Sequence, residues 1–499
     1  MNIHKGKTLF LLVIFFTMSV VTRAQQEFTL FHMPVLYQST FLNPISIPEH
    51  KVSFSLVPST FVGFNNSAFS VKALMDKEGN VDYNKFIKGL SKDRNYIGVG
   101  FKEEIFHLRF KIANNFYSVG SQLINDFRFT YPKDLLAIGA TGIKDGYSLS
   151  GLGVYFNSYI ENSVGFTRSK PDSKWTYGGK LKLLKGIANV QTKKSDIELT
   201  LDNTNLFNYN LNANMEVNVG AAVDGSKYTS IDDIANISFD SIRNYNDAKN
   251  IIKLNNGYAI DLAGKLQLNE RWSVQASLLN LGYIKWESFA QNFKINSNLT
   301  FDGVTIENID FSSNLDSLMS LKKDSIFQSY ETQFKNGVDT TNVAYNSWLP
   351  AQVFISIIHQ ESNNLTATAS LYAEFLNGVS IGPVVGLNSR LSRNLSLTAT
   401  WWWFKRSASN MGLGIVYKPW YGQFYVIMDN ILPASFMKVS DPELGLNEVY
   451  LPYQVKNFNI RVGMNIVFGK IREESRLPLR ELRKEKDASR KYLYKPHNR

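Results

Sequence analysis

Histidine is the side chain most often used for proton transfer or metal binding near neutral pH. The six in this chain, His4, His32, His50, His107, His359 and His497, are scattered, and no two share a metal-ligand spacing. Paired acids occur at Glu103-Glu104 and Asp232-Asp233. General acid–base work needs a partner base and fixed geometry, and without these such pairs read as solvated charges. The chain has no G-x-S-x-G, no H-E-x-x-H and no P-loop, the patterns that would announce a nucleophile, a zinc site or a phosphate cradle. Gly151-Leu152-Gly153 and Gly412-Leu413-Gly414 come nearest to a glycine fingerprint. Both lie inside strand-like patterns, where glycine marks close backbone approach. A membrane hydrolase would need a Ser–His pair assembled by the fold, which spacing along the chain does not reveal. With no cysteine at all, lipidation at a leader cleavage site, disulfide staples and thiolate metal sites are excluded. The expectation is a protein that is not an enzyme and carries no cofactor and no metal.

The elements that must position these residues begin with a leader. Lys5 and Lys7 precede an apolar run from Leu9 to Phe16 and on from Met18 to Val21, and Thr22-Arg23-Ala24 offers small residues where a signal peptidase reads. Residues 1–24 therefore read as a secretory signal cut near Ala24. No later segment reaches the ~20 apolar residues of a membrane helix. The net charge is +11, of which +3 lies in the leader and +6 in Lys470–Arg499. Little basic excess remains elsewhere, so a nucleic-acid partner is excluded. Residues 470–499 read as a basic tail, broken at Pro478 within a helix-capable Arg472–Glu485.

Between leader and tail the governing pattern has period two. Phe458, Ile460, Val462, Met464, Ile466 and Phe468 alternate with Asn459, Arg461, Gly463 and Asn465, and only Val467 breaks the polar set. One face of such a strand meets hydrocarbon and the other meets water. Similar runs occur at Tyr258–Leu268, Trp272–Tyr283, Val353–His359, Leu365–Phe375, Val379–Leu391, Leu395–Phe404, Met411–Tyr417 and Phe424–Met428. The first half gives Tyr96–Phe110, Phe116–Phe129, Ser148–Phe156, Tyr159–Thr167, Thr176–Leu184, Asp196–Leu201 and Tyr209–Val219, with a short helix over Tyr131–Gly139. Connections at Glu361–Asn364, Ser392–Asn394 and Lys418–Tyr421 are short, while Ile284–Pro350 and Ile431–Val455 are long. Sorting loops by length in this way is a habit of outer-membrane barrels. Aromatic residues make up 13% of the chain and cluster near segment ends, as at Trp401-Trp402-Trp403-Phe404, which suits a membrane–water boundary. The reading is an all-β transmembrane antiparallel barrel of about 14 strands, within a range of roughly 12–18. Residues 25–70 form an N-terminal plug or first strands, and 71–469 form the barrel. Inserts near 224–250 and 296–346 are expected on the extracellular side, and Leu315–Lys335 could form an amphipathic helix there.

Pro34-Val35-Leu36-Tyr37-Gln38-Ser39-Thr40-Phe41-Leu42-Asn43-Pro44 and the following Lys51–Thr60 resemble the start of a family of outer-membrane barrels of unknown function from Bacteroidota. Phe129–Leu135, Ser150-Gly151-Leu152-Gly153-Val154, Gly178–Val190 and Lys194-Ser195-Asp196 are similar to that family as well. The Leu-Asn-Pro element is shared more loosely with the long-chain fatty-acid transporter superfamily and with accessory barrels of type IX secretion and gliding. In those groups a small residue follows the Asn-Pro, and here Ile45 stands there.

The resemblance implies an outer-membrane location and a plug motif at Asn43 and Pro44. It also implies O-glycans on Asp-Ser or Asp-Thr motifs, at Ser241, Ser317, Ser325 and Thr340. Two functions follow as expectations, with a porin behind both. One is an accessory barrel within an outer-membrane or secretion assembly. It would touch lipid, other outer-membrane proteins and, through the tail, a periplasmic protein or peptidoglycan. The other is a transporter of small hydrophobic molecules.

Overall fold

The computed structural model describes residues 27–67, 82–92, 95–141, 146–170, 173–201, 208–222, 255–301, 333, 336–362, 364–375, 379–404, 407–430, 436–441, 446–452 and 457–471. The chain first makes one helical turn, α1 (Phe28–Phe31), and a 3-10 turn at Tyr37–Phe41. Strands then follow: β1 (His50–Asn66), β2 (Asn95–Ile112), β3 (Asn115–Tyr131), β4 (Tyr147–Ser148), β5 (Gly153–Ser169), β6 (Trp175–Leu201) and β7 (Tyr209–Ala221). Next come β8 (Asn255–Gln267), β9 (Trp272–Trp286), β10 (Ala290–Phe301), β11 (Val338–Thr341), β12 (Tyr345–Trp348), β13 (Ala351–Ser362) and β14 (Leu365–Phe375). The last are β15 (Val379–Arg390), β16 (Leu395–Phe404), β17 (Ser407–Tyr417), β18 (Gly422–Asp429), β19 (Phe436–Asp441), β20 (Leu446–Pro452) and β21 (Asn457–Lys470). Two further helices, α2 (Tyr83–Gly89) and α3 (Lys133–Thr141), pack against each other outside the wall.

Fourteen strands close an antiparallel barrel. The order around the wall is β1, β2, β3, β5, β6, β8, β9, β13 to β18 and β21, and β21 pairs back onto β1 from His50↔Lys470 to Asn65↔Asn457. Closure removes every free edge from the wall. The alternation fixes which side each residue takes. On β21 Asn459, Arg461 and Asn465 are buried inside while Phe458, Val462 and Phe468 are exposed outside. The same holds round the barrel, with Val164, Leu181, Ile355, Leu371 and Ile415 outward and Glu161, Lys180, Ser356, Ser370 and Val416 inward. An apolar exterior around a polar interior is the inverse of a soluble protein and marks a membrane-spanning wall.

Three features differ from the sequence reading. β5 is one strand where two were expected, because the inward-facing Tyr155 and Tyr159 blur the alternation across the break. β6 is likewise one strand of 27 residues. A bulge near Ile187 shifts its period, and its upper half leaves the wall. β6 pairs with β8 over Trp175–Gly186 and with β7 over Ala188–Leu201. β7 pairs with β10, and β10 with β11, so a small antiparallel sheet rises beyond the barrel rim. Trp286, wholly buried, fills the fork, and Gly186 and Gly220 lie against its ring where any side chain would collide. Third, the stretch before residue 70 holds both an interior segment and β1, where plug and first strands were alternatives. The wall begins and ends at the same rim, where His50 pairs with Lys470. Opposite that rim, β14–β15 and β16–β17 are joined within a few residues, so the connections are not uniformly long on that side.

Candidate functional site

Residues 27–49 run through the interior. The backbone bonds of this segment are made within itself, apart from one from Ile471 N to the Glu49 carbonyl at its foot, among the described residues. Side chains hold the rest. Phe28, Leu30, Phe31 and Met33 are buried against Phe354, Tyr372, Val384, Trp402, Val416, Tyr425 and Ile427 of β13 to β18. Phe31 stacks on Phe354 with ring centroids 4.1 Å apart, and Phe28 meets Tyr372 edge-on at 5.1 Å. Gly386, Gly412 and Gly414 leave the room for this approach, since a Cβ at each would strike His32, Thr29 and Met33 respectively. Gly412 and Gly414 of the Gly412-Leu413-Gly414 element therefore face the segment.

The segment then crosses to the opposite wall, which is charged. Its first described residue, Glu27, receives two hydrogen bonds from Arg461, and Lys102 Nζ lies 3.2 Å from the same carboxylate. Arg461 also donates to Ser59 Oγ at 2.7 Å and lies over the rings of Phe41 and Phe61. Burial alone would raise the Glu27 pKa, but Arg461 and Lys102 outweigh it and hold the carboxyl below its ordinary value. Lower down, Gln38 donates to Glu104 at 2.8 Å and exchanges hydrogen bonds with Asn465. Lys180 Nζ donates to Thr40 Oγ1 at 2.9 Å, Arg109 to the Ser46 carbonyl at 2.6 Å, and Thr167 to the Pro44 carbonyl at 2.9 Å. Of the two plug-motif residues, Asn43 is buried and closes a turn by accepting from Ser46 N at 2.9 Å, and Pro44 offers its carbonyl to the wall.

A second cluster needs no help from the segment. Lys182 on β6 lies 3.3 Å from Glu161 on β5 and 2.8 Å from Asp261 on β8, and donates to Asn280 at 2.6 Å. Asn280 has φ of 57° and turns its N–H onto Asp261 at 2.7 Å. Asparagine is among the few residues that tolerate this left-handed backbone. Gln122 completes the group on Glu161 at 3.0 Å.

One arrangement resembles a catalytic relay. Ser53 Oγ lies 3.0 Å from His107 Nε2, and His107 Nδ1 pairs with Glu104. The Tyr37 ring stacks on His107 at 3.7 Å. All three relay residues are buried, and neither of the two cavities described below is lined by them. Local spacing does not reveal this relay, because its serine and histidine are 54 positions apart.

The open space lies on the charged side. A cavity of about 80 Å³ sits above the segment, lined by Glu27, Lys102, Asp126, Arg128, Glu161, Lys182, Glu374 and Arg461 among others. A larger one of about 690 Å³ opens at the rim between β3, the 146–153 loop and β6. Tyr155 lines both. Pro132 and Asp134, Ser150 to Val154 and Lys194 to Asp196 all line the larger cavity, so three of the resemblance motifs converge there. Among the described residues no group of three or more His, Cys, Asp or Glu could hold a metal. Thr340 is exposed on β11, and Ser241, Ser317 and Ser325 lie outside the described residues, as do insert 224–250 and tail positions 472–499. Most of Leu315–Lys335 lies outside them too.

Several solved structures follow a similar course. A TodX monoaromatic hydrocarbon channel mutant shares 9% identity over 87% of this chain and 95% of its own, with a TM-score of 0.40. The Pseudomonas putida toluene transporter TodX shares 9% over 86% and 93%, at 0.38. A Pseudomonas aeruginosa FadL homologue shares 9% over 89% and 96%, at 0.37. No curated protein matches the sequence. Residues 44–429 match a family described as a family of unknown function (DUF5723).

Proposed function

The chain belongs to this family of unknown function (DUF5723), and from its interior we propose that it is an outer-membrane barrel conducting a small solute past a seated N-terminal segment. The carrying observation is how that segment is held. It fills the lumen by side-chain contacts and, apart from its foot, adds no backbone ladder to the wall. A plug held in this way can shift without unzipping the barrel. The rim cavity and the inner cavity, adjoining at Tyr155, then form the two stages of a route. On this reading the leader is cut after Ala24 and the wall inserts into the outer membrane. The Ser53–His107–Glu104 relay is a seat for Tyr37 and Gln38, with no role as an enzyme.

The test is conductance. Full-length protein and a variant lacking residues 27–46 are reconstituted in planar bilayers. The reading expects a closed or flickering full-length barrel and a steadily open variant. Equal, silent traces from two folded proteins would overturn it.

A second reading has its own observation. The sheet formed by upper β6, β7, β10 and β11 rises past the rim and offers a surface to another outer-membrane protein. An accessory role in a larger assembly would use it, with the basic tail as a second dock. Affinity capture from native membranes, comparing the full chain with one ending at Lys470, tests this reading. A stoichiometric partner lost with the tail supports it, and a lone barrel in both samples removes it.

A further inference from the structure

We propose that the rim cavity is a recognition site for a neutral, polyhydroxylated ligand with the chemistry of a disaccharide. The inference rests on the conduit reading and names the class of solute for it.

Size is the first argument. Pockets of roughly 300–1,000 Å³ enclose organic ligands of drug-like bulk, and this one holds about 690 Å³, far more than an ion needs. The second argument is the lining. Hydroxyls of Thr130, Ser148, Ser150, Thr192 and Ser195 and the amide of Gln191 surround the space, with the Tyr155 ring on the inner side. Hydroxyls and amides both donate and accept, which matches a sugar's hydroxyl edges, and an aromatic ring matches its C–H face. Thr130, Ser150 and Thr192 are held by backbone partners, so an apolar solute would leave Gln191 and Ser195 as the groups without a partner among the described residues.

Charge is the third. Lys92, Lys193, Lys194, Asp134 and Asp196 line the cavity, and most of them are engaged within the protein. Lys194 pairs with Asp196 at 3.3 Å, Asp134 accepts from Ser148 N at 3.0 Å, and Lys193 lies 5.8 Å over the Tyr345 ring. A strongly anionic ligand would have to break these contacts.

Fourth, the site is preformed, which lowers the ordering cost of binding. Leu149 N and Gly151 N bond to the carbonyls of Ile197 and Ser195 at 2.8 and 3.0 Å, and Ser150 Oγ accepts from Ile197 N at 3.1 Å. Gly151 holds φ of 88°, a conformation open to glycine. Two polar atoms still wait for partners. Gln191 Oε1 and Ser195 Oγ find none among the described residues, and both side chains line the cavity.

Calorimetry on the full-length protein in detergent uses cellobiose, N,N′-diacetylchitobiose, inorganic phosphate and 1-aminoanthracene as probes. Folding of each variant is checked by its heat-modifiable migration on gels. We expect saturable binding of a disaccharide. Gln191→Leu should weaken it about tenfold, the loss of roughly one hydrogen bond. Gly153→Leu, whose side chain would enter the cavity beside Thr130 and Thr192, should abolish it. No disaccharide binding, or binding untouched by both folded variants, would overturn the inference. Binding of phosphate or 1-aminoanthracene that displaces the sugar or is abolished by Gly153→Leu would overturn it in favour of an anion or an apolar solute. In either case a plug-dependent conductance leaves the conduit reading standing. Disaccharide binding without that conductance supports the site and removes the conduit.

Discussion

The two walls of one lumen hold the same segment by different physics. The β13–β18 wall presents rings, aliphatic side chains and glycines to Phe28, Leu30, Phe31 and Met33. The opposite side presents Arg461, Lys102, Glu104, Arg109 and Lys180 to Glu27, Gln38, Ser46 and Thr40. Burial is non-directional and scales with area, so the apolar wall resists removal of the segment but tolerates small slips. Paired charges are worth little net stability, yet their geometry admits one register. The difference teaches that one wall sets how tightly the segment sits and the other sets where. The cavities lie on the charged side, so a route can open there while the apolar side stays docked.

The largest way to break this comparison is Arg461→Met. It strands Glu27 in the interior with Lys102 as its remaining cation, and losing one partner of a buried pair typically costs about 3–5 kcal/mol. Protease access to residues 27–46 should rise sharply while the folded barrel persists on gels. Unchanged access would mean that the apolar wall alone sets the register. Leu30→Ala tests that wall in turn. A buried Leu→Ala change costs about 2–5 kcal/mol, and here it should raise access to the segment while leaving its cross-linking pattern to β2 unchanged. An altered pattern would erase the distinction between the walls. The smallest effect is pH. Because Glu27 is held below its ordinary value, its contribution is complete above the normal carboxylate range and is lost as pH falls through the lowered value. Amide exchange at residues 28–33, corrected for its intrinsic pH dependence, should therefore rise only in strong acid, and at a higher pH in Lys102→Met. Loosening as the solution becomes alkaline would contradict the assignment.

What could be read from the sequence follows the same division. The outward face is apolar on nearly every second residue, so β21 and most second-half strands stand out from local spacing. β6 is legible only as two pieces, Thr176–Leu184 and Asp196–Leu201, because the bulge near Ile187 shifts the period between them. The glycines of β17 could be read as places of close approach, but nothing nearby says that residues 29 and 33 approach them. Interior pairs are hidden for the same reason. The Leu-Asn-Pro element signalled something at residues 43–44, yet its wall partner, Thr167, is 123 positions away. The rim cavity was half visible. Its three motif segments were conspicuous one by one, and only the fold brings them together.

The seam between β1 and β21 carries a consequence for biogenesis. The first strand and the last complete each other, and the contact between Glu27 and Arg461 spans 434 positions of sequence. Such distant pairings form late, since the intervening chain must be ordered first. The amino-terminal segment therefore reaches its final register only when the last strand brings the guanidinium that holds Glu27. Closing the wall and locking the bolt are then a single kinetic event. A chain truncated before β21 would lose the Arg461 anchor of its interior segment together with its last stave.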